Sequence, residues 1–271
     1  MLLGRDEAAF PNYWNPMLPD FSGRTRVYRG AYGRRLRRTW GLDQLRRAAQ
    51  ALESAPESRQ IVLQIWHPAE DLPKPDGVPR RGDIPCNICS LLKIRNGRLE
   101  WTQVLRSNDL FLGVPYNFVQ FTTFQEVLAG WLGVRLGQYT HLSDSLHAYE
   151  RDLPSFSTPV TAQAMLNNES LCLPWNESKE VLRALWRRAS PLTLDSLTPA
   201  RFSRLLAGHD LPTPYENLLR VMAADSARRR GWTEEIVAAI SDCHNSSLRP
   251  LWDAWLSRSA SPRTPRSARP A

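Results

Sequence analysis

The chain has 271 residues, of which 42% are hydrophobic and 23% charged, and its formal net charge is +8 at pH 7. That composition is an ordinary soluble globular one, and the length allows one sizeable core or one core with an appendage. No run of eighteen apolar residues occurs, and the first residues carry acids and an early proline. Neither a helical membrane span nor a secretory leader is expected, and a cytoplasmic setting is.

The positive excess suits an anionic partner without naming one: a nucleotide, a nucleic acid, or no specific anion. Part of it sits in Arg34–Arg38 and part in the tail after Ser257. A solvated basic face is the plainer reading of both. Cys86 and Cys89 have a metal-ligand spacing, but Cys172 and Cys243 stand alone, so a closed zinc site lacks its second pair. Reduced cysteines and no metal are expected.

In chain order, residues 1–29 are rich in aromatics and proline, with a short helix expected over Asp6–Phe10. Residues 30–33 read as a turn. Leu42–Leu52 has helical spacing of Leu42, Leu45, Ala48, Ala49 and Leu52. Ile61–Trp66 reads as a strand from its β-branched content, with Arg59 at the turn before it. Residues 67–83 read as a polar loop. Ile88–Ile94, with Cys89 expected to point inward, and Leu99–Val104 form a hairpin through Asn96-Gly97. Arg106–Asn117 reads as a loop around Gly113 and Pro115. Phe118–Leu132 is a helix ended by Gly133, and Val134–Leu142 a strand. Leu146–Arg151 reads as a short helix or turn.

After residue 151 the pattern turns helical, over Glu177–Ser190, Pro199–Ala207, Pro214–Arg229, Thr233–Asp242 and Leu248–Leu256. Thr198-Pro199 and Thr213-Pro214 read as N-caps followed by proline. Trp252 and Trp255 are expected to pack inward. No internal repeat is found. The expected division is 1–151 as a mixed α/β core, 152–256 as a helical part packed on it, and 257–271 as a disordered basic tail.

Several residues of the middle stretch can carry chemistry. Cys86 follows a proline at a strand entrance, and a nearby arginine stabilises a thiolate. Arg106 with the Ser107 hydroxyl can hold a phosphate. Asn117 offers one donor and one acceptor, the complement of a pyrimidine edge. His147 and Tyr149, two apart, share a face if extended. Each also has a plain structural reading: a buried small thiol, a surface ion-pair partner, a helix cap, a satisfied polar histidine.

Taken in order, Tyr32-Gly33, Pro56-x-Ser58-Arg59, Pro85-Cys86, Arg106-Ser107-x-Asp109-x-x-x-Gly113-x-Pro115-x-Asn117 and His147-x-Tyr149 resemble the thymidylate synthase family. Asn87 after the cysteine and Arg106-Ser107-Asn108-Asp109 are closer to its pyrimidine-nucleotide hydroxymethylase branch. The match covers roughly residues 28 to 151. The resemblance implies an α/β fold with a curved mixed sheet and packed helices, here with a helical C-terminal extension. It implies folate-dependent one-carbon transfer from 5,10-methylenetetrahydrofolate to C5 of dUMP or dCMP, with hydroxymethylation favoured over the reductive methylation of a thymidylate synthase.

By position, the resemblance makes Cys86 the nucleophile, with Asn87 and Asp109 as further catalytic-site residues and Asp109 towards the folate. Arg106 and Ser107 would hold the phosphate, Asn117 the base edge, and His147 and Tyr149 the sugar hydroxyl. Arg59 would reach the other subunit's site in a homodimer. The chain departs from the family at Gln60, where a second arginine is usual, and in having no glutamate over Ala8–Tyr13. The family's first phosphate-loop arginine has no counterpart, so the expectation is a start further upstream or a trimmed domain. A second reading is a relative that binds nucleotide, or nucleic acid, through its arginines without efficient turnover.

Overall fold

A computed structural model describes residues 1–80, 82–150, 152–153, 167, 169–208 and 210–259. The chain divides into two compact units, Met1–Val160 with Leu171–Arg183, and Thr161–Ser170 with Ala184–Ala271.

The first unit is a mixed four-stranded sheet in the order β1-β2-β3-β4. The strands are β1 (Ile61–Gln64), β2 (Asn87–Arg95), β3 (Arg98–Asp109) and β4 (Arg135–His147). β1–β2 and β2–β3 are antiparallel, and β3–β4 is parallel. The β2–β3 turn is the expected hairpin: Asn96 and Gly97 take φ of 52° and 67°, the left-handed pair that matches strand twist. The parallel step needs a crossover, supplied by the 20-residue helix α6 (Gly113–Leu132). It ends at Gly133, φ 63°, as the spacing predicts.

Leu63, Leu92, Ile94, Leu99 and Trp101 of the sheet pack on Phe121, Phe124, Val127 and Leu128 of α6. Leu45, Ala48, Ala49 and Leu52 of α4 (Gln44–Ser54) complete this core. Trp101 is fully buried and lies against Phe121 and Phe124. The small helices α1 (Ala9–Trp14), α2 (Leu18–Ser22), α3 (Tyr32–Arg37) and α5 (Pro68–Asp71) precede β2. Buried Arg35 of α3 pairs with buried Asp71 of α5 at 2.8 Å. The second carboxylate oxygen of Asp71 accepts from the His67 backbone N–H.

Several local expectations are corrected. The first helix is Ala9–Trp14 rather than Asp6–Phe10, and Pro11 fits because it stands in the first turn, where no N–H partner is needed. Tyr32 opens a helix instead of closing a turn. The loop expected over 67–83 contains α5. The loop expected over Arg106–Asn117 is mostly regular: β3 runs to Asp109 and α6 begins at Gly113, with Pro115 again in a first turn. β4 extends through His147, so Leu146 is in a strand.

Cys89 does not point inward. Ser90, Leu92 and Ile94 do, while Cys89 shares the outer face with Leu91 and Lys93. The register explains this. Asn87 pairs with Leu105 but Cys89 with Val104, so β2 carries an extra residue there, and the bulge turns Asn87 to the inner face beside Ser90.

The second unit is helical where described. Its helices are the end of α7 (Trp175–Ala189), α8 (Pro199–Leu206), α9 (Thr213–Arg230), α10 (Thr233–Ser241) and α11 (Leu248–Ser259). Leu192, Phe202, Tyr215, Leu219, Ala223 and Ile240 are among its buried residues. Thr198 caps α8 by accepting from the Arg201 N–H, but α9 already includes Thr213 and has no side-chain cap. Trp252 is buried and Trp255 half-buried, with the Arg228 guanidinium over the Trp255 ring. Of the expected tail, 257–259 belong to α11 and 260–271 lie outside the described residues.

Candidate active site

Cys86 lies half-buried where the chain enters β2. The neighbouring strand β3 holds it there: the Arg106 N–H donates to the Cys86 carbonyl at 2.9 Å, and Arg106 Nε donates to the Pro85 carbonyl at 3.0 Å. Burial pushes the Cys86 thiol above the usual range, and the Arg106 charge pulls it down. Arg106 itself stays exposed, so its guanidinium can meet an anion from solvent.

The Tyr32 hydroxyl, at the start of α3, reaches the same place. It hydrogen-bonds the Asn87 side chain and the Cys86 backbone. Burial, reinforced by a Cys86 thiolate, pushes its pKa up to about 12, against the pull of Asn87 and Arg106. Tyr32 is therefore a proton-bearing hydroxyl beside the thiol at neutral pH. Its ring rests on Phe121, 5.9 Å between centroids.

A line of amides runs inward from there. Gln103 Nε2 donates to Asn87 Oδ1 at 2.9 Å, Asn87 Nδ2 to Asn117 Oδ1 at 3.0 Å, and Asn117 Nδ2 to Asn108 Oδ1 at 3.0 Å. Asn108 Nδ2 then meets His141 Nε2 and Ser143 Oγ, each at 3.0 Å, and His141 Nδ1 meets the Tyr139 hydroxyl at 2.9 Å. All four amides are buried. Burial holds the His141 imidazole below its ordinary pKa, consistent with a neutral ring. Asn117 spends one N–H and one lone pair in this line. It keeps one of each for a ligand.

Asp109 closes β3. Its Oδ1 accepts from the Phe111 and Leu112 N–H groups at 2.8 and 2.7 Å and so caps the turn into α6. Its Oδ2 is buried without a hydrogen-bond partner, an acceptor suited to an amino- or imino-bearing ring. Ser107 is half-buried on β3 beside Arg106. His147 pairs with Asp109 across β3–β4, and its ring stands edge-on to Tyr149 at 5.4 Å. Among the described residues no group of three His, Cys, Asp or Glu side chains could hold a metal ion.

Cys86, Asn87, Arg106 and Asn117 are thus joined, while Ser107, Asp109 and His147 stand on the β3–β4 pair and Tyr149 just beyond its end. Arg59 is not brought to them. It is exposed just before Ile61, whose partner is Leu92. The stretch from Leu92 back to Cys86 spans about 20 Å at the rise of a strand. Sequence reasoning assigned no role to Tyr32, Gln103, Asn108 or His141. The available signal was Gln103, an amide on a strand face otherwise made of Leu99, Trp101 and Leu105.

The thymidylate synthase family matches residues 10–183, so the match ends where the first unit ends. The deoxyuridylate hydroxymethyltransferase of Bacillus phage SP01 is 36% identical over 164 residues, 56% of this chain and 42% of that protein. The enzyme of the same name from Pseudomonas phage M6 is 35% identical over 156 residues, 56% of this chain and 43% of that protein. A putative thymidylate synthase of Methanothermobacter thermautotrophicus is 35% identical over 129 residues, 48% of this chain and 55% of that protein. The chain spans about half the length of these curated relatives. With the ordered motifs on the sheet and helix that join them, and a family match over most of its length, the chain belongs to the thymidylate synthase family.

Proposed function

We propose that this protein binds a pyrimidine nucleoside monophosphate, dUMP, and transfers a one-carbon unit to C5 of its base, leaving a hydroxymethyl group. The observation that carries this reading is the meeting of Arg106, Tyr32 and Asn117 on the Pro85–Asn87 segment that holds Cys86, in a chain related to two phage deoxyuridylate hydroxymethyltransferases.

Arg106 and the Ser107 hydroxyl receive the phosphate. Asn117 reads the base edge with its remaining N–H and lone pair, and His147 and Tyr149 meet the sugar hydroxyl. Sγ of Cys86 adds to C6 as a thiolate, and the displaced π electrons make C5 the nucleophile. Tyr32, protonated at neutral pH, can donate or relay a proton beside Cys86. After C5 has taken up the carbon and lost its proton, water adds to that carbon and supplies the hydroxyl oxygen, and the C6–S bond breaks to release the Cys86 thiolate. Asp109 Oδ2, buried and unpartnered, fits a donor-bearing pterin. When bound, 5,10-methylenetetrahydrofolate would supply the carbon at the formaldehyde level.

The reading includes a homodimer that covers the outer face of the sheet. Two cross-strand rows line that face, Val62–Leu91–Thr102–Thr140 and Gln64–Cys89–Val104–Leu142. Neither row carries a charge. Val62, Leu91 and Leu142 are 49%, 43% and 52% exposed. Arg59, remote from its own Cys86, would then serve the phosphate of the second subunit.

Tritium release from [5-³H]dUMP in the presence of 5,10-methylenetetrahydrofolate tests the reaction, and product mass separates hydroxymethyl from methyl. No release from dUMP or dCMP by folded dimer overturns the proposal. A second reading, nucleotide binding without efficient turnover, is favoured by the raised thiol of Cys86. It requires that Cys86→Ser leave the biological activity intact.

A further inference from the structure

The line of amides has a direction, and that direction is fixed far from the base. Serine, tyrosine and neutral histidine can each donate or accept, so Ser143, Tyr139 and His141 at one end would tolerate either sense. The other end cannot reverse. Gln103 Oε1 lies 3.1 Å from Trp101 Nε1, a group that only donates, and Gln103 Nε2 lies 3.1 Å from the Cys89 carbonyl, a group that only accepts. The Ser90 hydroxyl adds a second donor to Oε1 at 2.6 Å. Gln103 therefore has one orientation. It presents N–H to Asn87, which must turn its oxygen there and its amino group to Asn117. Asn117 must then turn its oxygen to Asn87 and its amino group to Asn108. Gln103, Asn87 and Asn108 are 0%, 0% and 2% exposed, so water does not offer an alternative partner.

We infer that Gln103, pinned between the Trp101 indole and the Cys89 carbonyl, is the positioning residue that sets base selectivity by fixing which way round the Asn117 amide is presented. The inference rests on the base-reading role proposed above. Uracil carries an acceptor at position 4 and a donor at position 3; cytosine carries the reverse. An amide held in one sense pairs with one base and opposes the other. Gln103 touches no part of the ligand in this scheme and acts through Asn87.

Calorimetric titration of the full chain with dUMP and with dCMP, without folate, tests it. The wild-type chain should prefer dUMP. Asn87→Asp keeps an acceptor for Gln103 but also demands a donor from Asn117, and so reverses that amide; the dCMP-to-dUMP affinity ratio should rise about tenfold or more. Gln103→Leu removes the pin and should bring the ratio close to one. An unchanged ratio in either folded variant overturns the inference. If the wild-type chain binds neither nucleotide, the proposed function fails and the inference with it. Should both variants misfold, the wild-type chain still decides. The direction of the line makes His141 Nε2 an acceptor and puts its proton on Nδ1. Histidine-selective ¹⁵N spectra showing the Nε2–H tautomer would overturn the inference with no substitution at all.

Discussion

Gly113 lies so close to the Asn108 amide that a Cβ built on it would stand 2.4 Å from Asn108 Oδ1. That oxygen accepts from Asn117, so the first residue of α6 must lack a side chain for the Asn117 amide to be held. Gly113→Ala should push the Asn108 amide away and cost about 1–3 kcal/mol of stability, the usual range for overpacking. Nucleotide affinity should fall with it. Urea unfolding and calorimetric titration measure the two effects. A variant with unchanged affinity would show that Asn117 does not depend on Asn108.

Arg35 and Asp71 form a second dependence, between α3 and α5. Both side chains are fully buried. Removing one partner of a buried pair is costly, and half-exposed Glu70, 3.2 Å from Arg35, compensates only part of the charge, so Asp71→Ala should lose about 3 kcal/mol, the low end of the usual range. Replacing both by apolar residues of similar volume, as in Arg35→Met with Asp71→Leu, should recover most of the loss. Chemical denaturation of the three proteins checks this. Equal losses in the single and double variants would mean that the pair acts through the His67 N–H bond to Asp71 rather than through its charge.

The Cys86 thiol titrates above the ordinary range because burial disfavours the thiolate, and Arg106 partly offsets this. A raised acid pKa means more protonated thiol at neutral pH, so alkylation should be slow there and should accelerate only as pH rises past the ordinary thiol value. Arg106→Leu should move that acceleration to still higher pH. Peptide-resolved iodoacetamide rates isolate Cys86 from the other three cysteines. A lower midpoint in Arg106→Leu would mean that Arg106 does not stabilise the thiolate.

The parts of this structure that were legible in the sequence are those written in local chemistry. Asn96-Gly97 specifies its hairpin, Gly133 ends α6, and Pro199 and Thr198 start α8. The stretch from Arg106 to Asn117 was misread because Gly113 and Pro115 count as loop residues, although a helix's first turn accepts both. Cys89 was misplaced because the bulge at Asn87 shifts which residues of β2 face inward, and a bulge leaves no mark in a strand's alternation. In the site, Cys86, Arg106 and Asn117 were legible through motif order. Gln103, Asn108 and His141 were not. Their meaning depends on β3 lying parallel to β4, which brings Asn108 to His141 and Ser143 across the whole of α6.

The placement of Arg59 gives the sharpest test of assembly. Within one chain it stands towards the opposite end of β2 from Cys86, and in the proposed dimer a second copy packed on the outer sheet face would bring the two together. Val62 and Leu91 are directly paired on that face and both exposed, so Leu91→Glu should put unpaired charges into the contact and yield monomers by sedimentation. Those monomers should bind nucleotide more weakly, as Arg59→Ala should within an intact dimer. Mixing subunits separates a shared site from a merely stabilising contact. Arg59→Ala and Cys86→Ser chains should each release little tritium from [5-³H]dUMP alone. Co-refolded, they should regain release, because one of the two sites then combines an intact Cys86 with an Arg59 from the other subunit. Mixed dimers no more active than either parent would place Arg59 outside the site and leave the sheet contact a matter of stability alone.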